Sequence, residues 1–177
     1  MKVFKIKKEY YLILLMIVLI VFSHVYGCKK ETYNKIHTAP INQPHEIRFH
    51  KGGELVFINK DGKSIVMIDV EIPKTLKEIS AGLMFRHTLA EKQGMLFEHD
   101  KFKARFFWMK NTYIPLDMIF VNKTKNIIRI RKNAEPLSKD LIQIPEGTQY
   151  TIEVNSGFCH KYGIVAGDRV EIRSFYL

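Results

Sequence analysis

ELVFINKDGKSIVMIDVEI, residues 54–72, decides the fold class of this chain. Two runs rich in β-branched and aromatic residues, 54–58 and 64–72, flank the pentapeptide NKDGK, whose Asp61-Gly62 pair supplies the positive φ of a tight turn. The stretch therefore reads as a β-hairpin. The pattern repeats downstream. DMIFVN (117–122) and IIRIRK (127–132) sit on either side of KTKN, while QYTIEVN (149–155) and DRVEIRSFYL (168–177) alternate apolar with polar residues, as half-buried strands do. Two short helices break the run of strands. In TLKEISAGLM, Thr75 and Glu78 have the spacing of a capping box, and Leu76, Ile79 and Leu83 line one face. In SGFCHKYG, Ser156 is placed as N-cap and Gly163 as the stop. Many short strands with two short helices predict a mainly β fold, a compact antiparallel β-sandwich or barrel.

The front of the chain concerns location rather than fold. MKVFKIKKEY carries Lys2, Lys5, Lys7 and Lys8 ahead of the uncharged run YLILLMIVLIVF (11–22), the layout of a basic n-region and an apolar h-region. A permanent span needs about 20 apolar residues, and Ser23 and His24 interrupt sooner, so residues 1–27 are expected to be a signal peptide. VYGC (25–28) follows, and it resembles the lipobox of bacterial lipoproteins. Gly27 fits the small position and Val25 the aliphatic one, while Tyr26 departs from the usual small residue. Cys28 is thereby expected to carry lipid and to anchor an exported protein to a membrane of the bacterial cell envelope. Ordinary cleavage near Gly27, with Cys28 free or bridged to Cys159, is the alternative. Residues 28–46 are polar, contain Pro40 and Pro44, and read as a flexible tether. That leaves residues 47–177 as a single domain able to bury a core. If Cys28 is acylated, Cys159 is alone and reads as a small buried hydrophobe, despite its neighbour His160.

The formal charge is +10, of which residues 1–27 hold +3 (four Lys against Glu9), leaving +7 on the mature part by subtraction. For an exported chain such a balance favours anionic headgroups, acidic polysaccharide or acidic proteins as partners; a merely solvating surface fits as well. KFKARFFWMK (101–110) has the basic and aromatic composition of a nucleic-acid surface. Export removes that partner, so no nucleic acid is expected. No GxSxG, Walker loop or dinucleotide fingerprint occurs, and no cofactor is expected. His87, Glu98, His99 and Asp100 lack the HExxH or CxxC spacing of metal sites and read as surface residues; no metal is expected either.

Three blocks then line up in order: GLMFRHTLAEKQGMLFE (82–98), FFWMKNTYIPLDMIFVN (106–122) and YTIEVNSGFCHKYGIVAGDRVEI (150–172), with AEP (134–136) between the last two. Together they resemble the domain of unknown function 192 family (DUF192) of bacteria and archaea, over roughly residues 64–173. Asn155-Ser156-Gly157 stands where that family usually has an apolar-Ala-Gly run. The resemblance implies a mainly antiparallel β fold of jelly-roll type, and it implies no activity.

The middle block holds the candidate site. On a strand, Phe106, Trp108 and Lys110 point one way and Phe107, Met109 and Asn111 the other. Both faces of 106–109 are apolar, which predicts a central strand covered on both sides. Two accounts fit the polar residues that follow. In one, Lys110 pairs with Asp117 and Asn111 bonds turn backbone. In the other, Arg86, Trp108, Lys110, Asn111 and Asp117 line a cleft, with Arg86 clamping an anion and Trp108 stacking a ring. The expected function is a membrane-tethered binding module for an anionic or carbohydrate envelope ligand. The alternatives are a small enzyme working through Lys110 and Asp117, and a structural envelope protein with no small ligand.

Overall fold

The computed structural model describes residues 47–99 and 106–174; the expected signal peptide and tether, with Cys28, lie outside the described residues. The hairpin at 54–72 forms as expected. Strands β1 (Gly53–Ile58) and β2 (Ser64–Glu71) pair antiparallel, and Gly62 N donates to the Asn59 carbonyl across the turn at 3.0 Å. Seven further strands follow: β3 (Gln93–Glu98), β4 (Phe106–Phe107), β5 (Leu116–Asn122), β6 (Ile127–Ala134), β7 (Ile142–Gln143), β8 (Thr148–Asn155) and β9 (Arg169–Ser174). The two helices among the described residues are α1 (Leu76–Ala81) and α2 (Phe158–Lys161). The fold is mainly β.

Seven strands make one sheet in the order β6-β5-β8-β3-β2-β1-β9, and β4 with β7 makes a separate two-stranded ribbon. The expected antiparallel pairing holds except between β2 and β3, which run parallel. The chain between them carries α1 and so crosses over instead of turning back. The sheet curls until its edges touch at one corner. There, Asn126 bridges Arg169, and Val170 N donates to the Lys125 carbonyl at 2.9 Å. No ladder joins β6 to β9, so the roll does not close into a barrel.

Side-chain alternation assigns each face of the sheet its own core. Ile119 and Val121 of β5, Leu96 of β3 and Ile152 and Val154 of β8 join Leu55, Phe57 and Phe158 inside the roll. Leu116, Met118 and Phe120 of β5 and Met95 and Phe97 of β3 point outward and are buried by Leu83, Met109 and Ile114. Thus β5, read from sequence as one half of a hairpin, is the strand covered on both sides. The packing between β3 and β8 is close enough to demand a glycine. A Cβ on Gly94 would lie 2.7 Å from the Glu153 carbonyl oxygen.

Three local expectations are corrected. Residues 106–109 are not a central strand, since only Phe106 and Phe107 are extended and paired, and Phe106 and Trp108 face outward. Phe107 and Met109 pack this segment against the outer core, while Phe106 and Trp108 remain exposed. The capping box at Thr75 and Glu78 is present, yet the helix ends at Ala81, so Leu76 is 73% exposed while Leu83 is buried beyond the helix, past Gly82. Ser156 is not the N-cap of α2. Gly157 takes that position at φ 83, a conformation that suits Gly, and offers no side chain to cap with.

Candidate functional site

The block FFWMKNTYIPLD folds into a tight turn. Thr112 N donates to the Met109 carbonyl at 3.0 Å, and Asn111 adopts φ 58, a left-handed conformation that Asn tolerates better than most residues. The Asn111 carbonyl accepts from Phe85 N at 2.8 Å, which ties this turn to the GLMFR block. Buried Thr112 has its carbonyl paired with Leu137 N at 3.0 Å. Asn111 and Thr112 are therefore explained by backbone geometry. Lys110 is exposed, with Nζ 5.0 Å from the centre of the Trp108 ring. It forms no ion pair with Asp117.

Asp117 is 0% exposed and serves the backbone. One carboxylate oxygen accepts from Asn133 N at 3.0 Å and the other from Cys159 N at 3.1 Å. Cys159 is the second residue of α2, so Asp117 supplies from β5 the carboxylate cap that Gly157 lacks, where helix N–H groups and dipole favour an anion. The same contact bears on the thiol. Burial first, and then the Asp117 carboxylate, push Cys159 well above the ordinary thiol range. Cys159 is free, buried and held as the unreactive thiol.

Arg86 and Trp108 open onto different cavities. Arg86 is 8% exposed and donates to Glu71 at 2.5 Å, while Glu71 also accepts from His50 N at 2.5 Å. The Arg86 Nε is buried without a partner. This pair borders a cavity of about 380 Å³ that also meets His50, Lys74 and Phe85. Trp108, 43% exposed, borders a second cavity of about 260 Å³. Ala81, Gly82 and Met84 line both. Lys110, Asn111 and Asp117 line neither.

The Trp108 cavity holds the residue that the sequence reading missed. Its walls are Phe97, Phe106, Phe107 and Trp108 with Leu83 and Met84, and its polar groups are Ser80, Glu98, His99, Thr112 and Glu153. Phe97 and Phe107 meet edge to face at 5.2 Å. Glu153 is 5% exposed, and burial raises its carboxyl to about 8. Along β8, Glu153 pairs in register with Met95 of β3 and Met118 of β5, so its lateral neighbours are apolar. In the string QYTIEVN it occupies the polar phase, which reads as solvent-facing. Only the cover supplied by the outer core buries it.

His99 also lines this cavity; its Nε2 is 2.8 Å from Thr151 Oγ1, and burial lowers its pKa. His87 instead stacks on Tyr113 at 4.6 Å. Asp100 lies outside the described residues. Among the described residues no group of three His, Cys, Asp or Glu side chains is arranged to hold a metal ion. No described helix is long and apolar enough to cross a membrane.

The doubly covered β5, the locked GLMFR and KNT turns and the Asp117 cap all fall inside one family model. DUF192, described as Uncharacterized ACR, matches residues 56–172. The chain belongs to the DUF192 family. Two solved structures are similar to this DUF192 chain. One, from Sinorhizobium meliloti 1021 and described as a candidate transcription regulator, is 34% identical with a TM-score of 0.63, covering 72% of this chain and 97% of its own. The other, a protein of unknown function from Novosphingobium aromaticivorans DSM 12444, is 33% identical with a TM-score of 0.61, covering 67% of this chain and 83% of its own. No curated protein matches the chain.

Proposed function

We propose that this protein is an exported lipoprotein, held at the cell envelope through Cys28, whose DUF192 domain binds a ring-bearing envelope ligand of carbohydrate type beside Trp108. The observation that supports the reading best is the Trp108 cavity, where four aromatic residues face a small set of polar groups. Aromatic faces stack on sugar rings while convergent polar groups fix their orientation. Pockets for drug-sized ligands run roughly 300–1,000 Å³. At about 260 Å³ the cavity suits one ring rather than a long chain. Glu98 and Glu153 line it and, among the described residues, no Lys or Arg does, which favours a neutral or cationic ligand over an anion. The transcription-regulator description of the Sinorhizobium protein finds little support here, because the described helices span six and four residues, too short to serve as a groove-reading helix.

Trp108 is the sole tryptophan of the chain, so its emission reports on the cavity directly. Soluble envelope saccharides titrated against the full chain in detergent should shift that emission saturably, and Phe106→Ala should weaken the response. A flat signal with neutral, amino and acidic saccharides at millimolar concentration would sink the binding reading. Anchoring is tested separately. Cys28→Ser should abolish palmitate labelling and release the protein from the membrane fraction, and retention of both label and membrane association would refute lipidation.

A further inference from the structure

Glu153 has no structural employment. Its neighbours along the sheet are Met95 and Met118, and among the described residues no hydrogen bond or ion pair reaches its carboxyl, which burial alone shifts. A buried acid without a partner is costly, and a methionine at this place would extend the outer core without that cost. Carboxylates elsewhere in this molecule are treated differently. Asp117 is satisfied by two backbone N–H groups, and Glu71 by Arg86 and His50 N. Glu153, buried like them, lines an aromatic cavity instead.

We propose that the Trp108 cavity is a site for an organic cation, a single ring carrying an ammonium group, which sets its ammonium on the Glu153 carboxylate and its ring against the aromatic wall. The inference deepens the proposed binding function and rests on that reading of the cavity. Two features of the wall suit such a ligand. A carboxylate in an apolar setting attracts a cation far more strongly than it would in water, and aromatic faces attract cations through their quadrupole. Among the described residues, the other titratable groups that line the cavity are Glu98, at the end of β3, and His99 just after it. The helical side contributes Ser80, and the segment from Phe106 to Thr112 contributes only Thr112 as a polar lining group. Lys110 lies over the Trp108 ring but does not line the cavity.

Binding would be linked to protons. Burial holds the empty Glu153 protonated up to about pH 8, so an ammonium must displace that proton, and below this range affinity should fall about tenfold per pH unit. Burial lowers the pKa of His99, which disfavours a competing positive charge beside the site.

Three ring compounds of one shape test the inference: cyclohexylamine, cyclohexanol and cyclohexanecarboxylate, titrated against the full chain in detergent at pH 8.5 and followed by Trp108 emission. An alkylamine remains protonated there, as lysine does. The expected result is at least tenfold tighter binding of the amine than of the alcohol, with the carboxylate weakest and the preference shrinking toward pH 6. Glu153→Gln keeps the shape and should erase the preference, so that amine and alcohol bind alike; a thermal melt of the variant confirms that it is folded. Equal binding of amine and alcohol, or a preference for the carboxylate, overturns the cationic ligand and leaves the cavity as a ring site. No response from any of the three also overturns it, and the saccharide titration then decides alone whether the cavity binds anything.

Discussion

Glu153→Gln also makes a stability prediction that needs no ligand. A glutamate ordinarily ionises near 4.5, and in the folded chain burial raises this one to about 8. Between those values the native state keeps a proton that the unfolded state has lost, so the contribution of Glu153 to stability is complete below about pH 4.5 and drains away as pH rises toward 8. The slope is about 1.4 kcal/mol per pH unit. From pH 5 to pH 8 it amounts to about 4 kcal/mol, as an upper figure for a group that keeps some contact with the cavity. Glutamine does not titrate. The difference in unfolding free energy between the variant and the wild type should therefore move by up to about 4 kcal/mol in the variant's favour across that range. Burial lowers the pKa of His99, which adds stability as pH rises, but His99 is common to both proteins and largely cancels. Urea melts followed by circular dichroism at pH 5, 6, 7 and 8 give the difference. A gap constant to within about 0.5 kcal/mol would show that Glu153 titrates as a solvated glutamate, and the reasoning about the cavity would be wrong.

Two further outcomes separate scaffold from surface. Arg86→Met strands the buried Glu71 carboxylate and should cost about 3–5 kcal/mol in a urea melt, whereas Lys110→Met removes only an exposed cation over Trp108 and should cost less than about 1 kcal/mol; equal losses would contradict the buried pairing. Asp117→Asn turns an amide donor toward one of two backbone N–H groups, so it should lower stability by about 1–3 kcal/mol and speed amide exchange at Asn133 or Cys159, with unchanged exchange at both counting against the cap.

The local elements were legible because they depend on near neighbours. The turn at Asp61-Gly62, the capping box of Thr75 and Glu78 and the strands β1, β2, β5, β6 and β8 are set within a few residues, and the structure contains them. The family blocks carried the mainly β fold class for the same reason, since their motifs hold turn residues and strand phases in order. What reaches across the chain was not legible. Lys110 and Asp117 stand seven positions apart and were matched by charge, but Asp117 bonds Asn133 and Cys159, at sequence separations of 16 and 42. Arg86 found Glu71, 15 residues upstream. The apolar run 106–109 reads as central because both its phases are greasy, although Phe106, Phe107 and Trp108 border a cavity. Glu153 shows the limit most sharply. Alternation fixes which face of a strand a side chain takes, and that much the residues of β8 decide by themselves. Whether that face meets water or a second core depends on what folds over it, and here Leu83, Met109 and Ile114, contributed by distant parts of the chain, turned a solvent-facing glutamate into a buried acid.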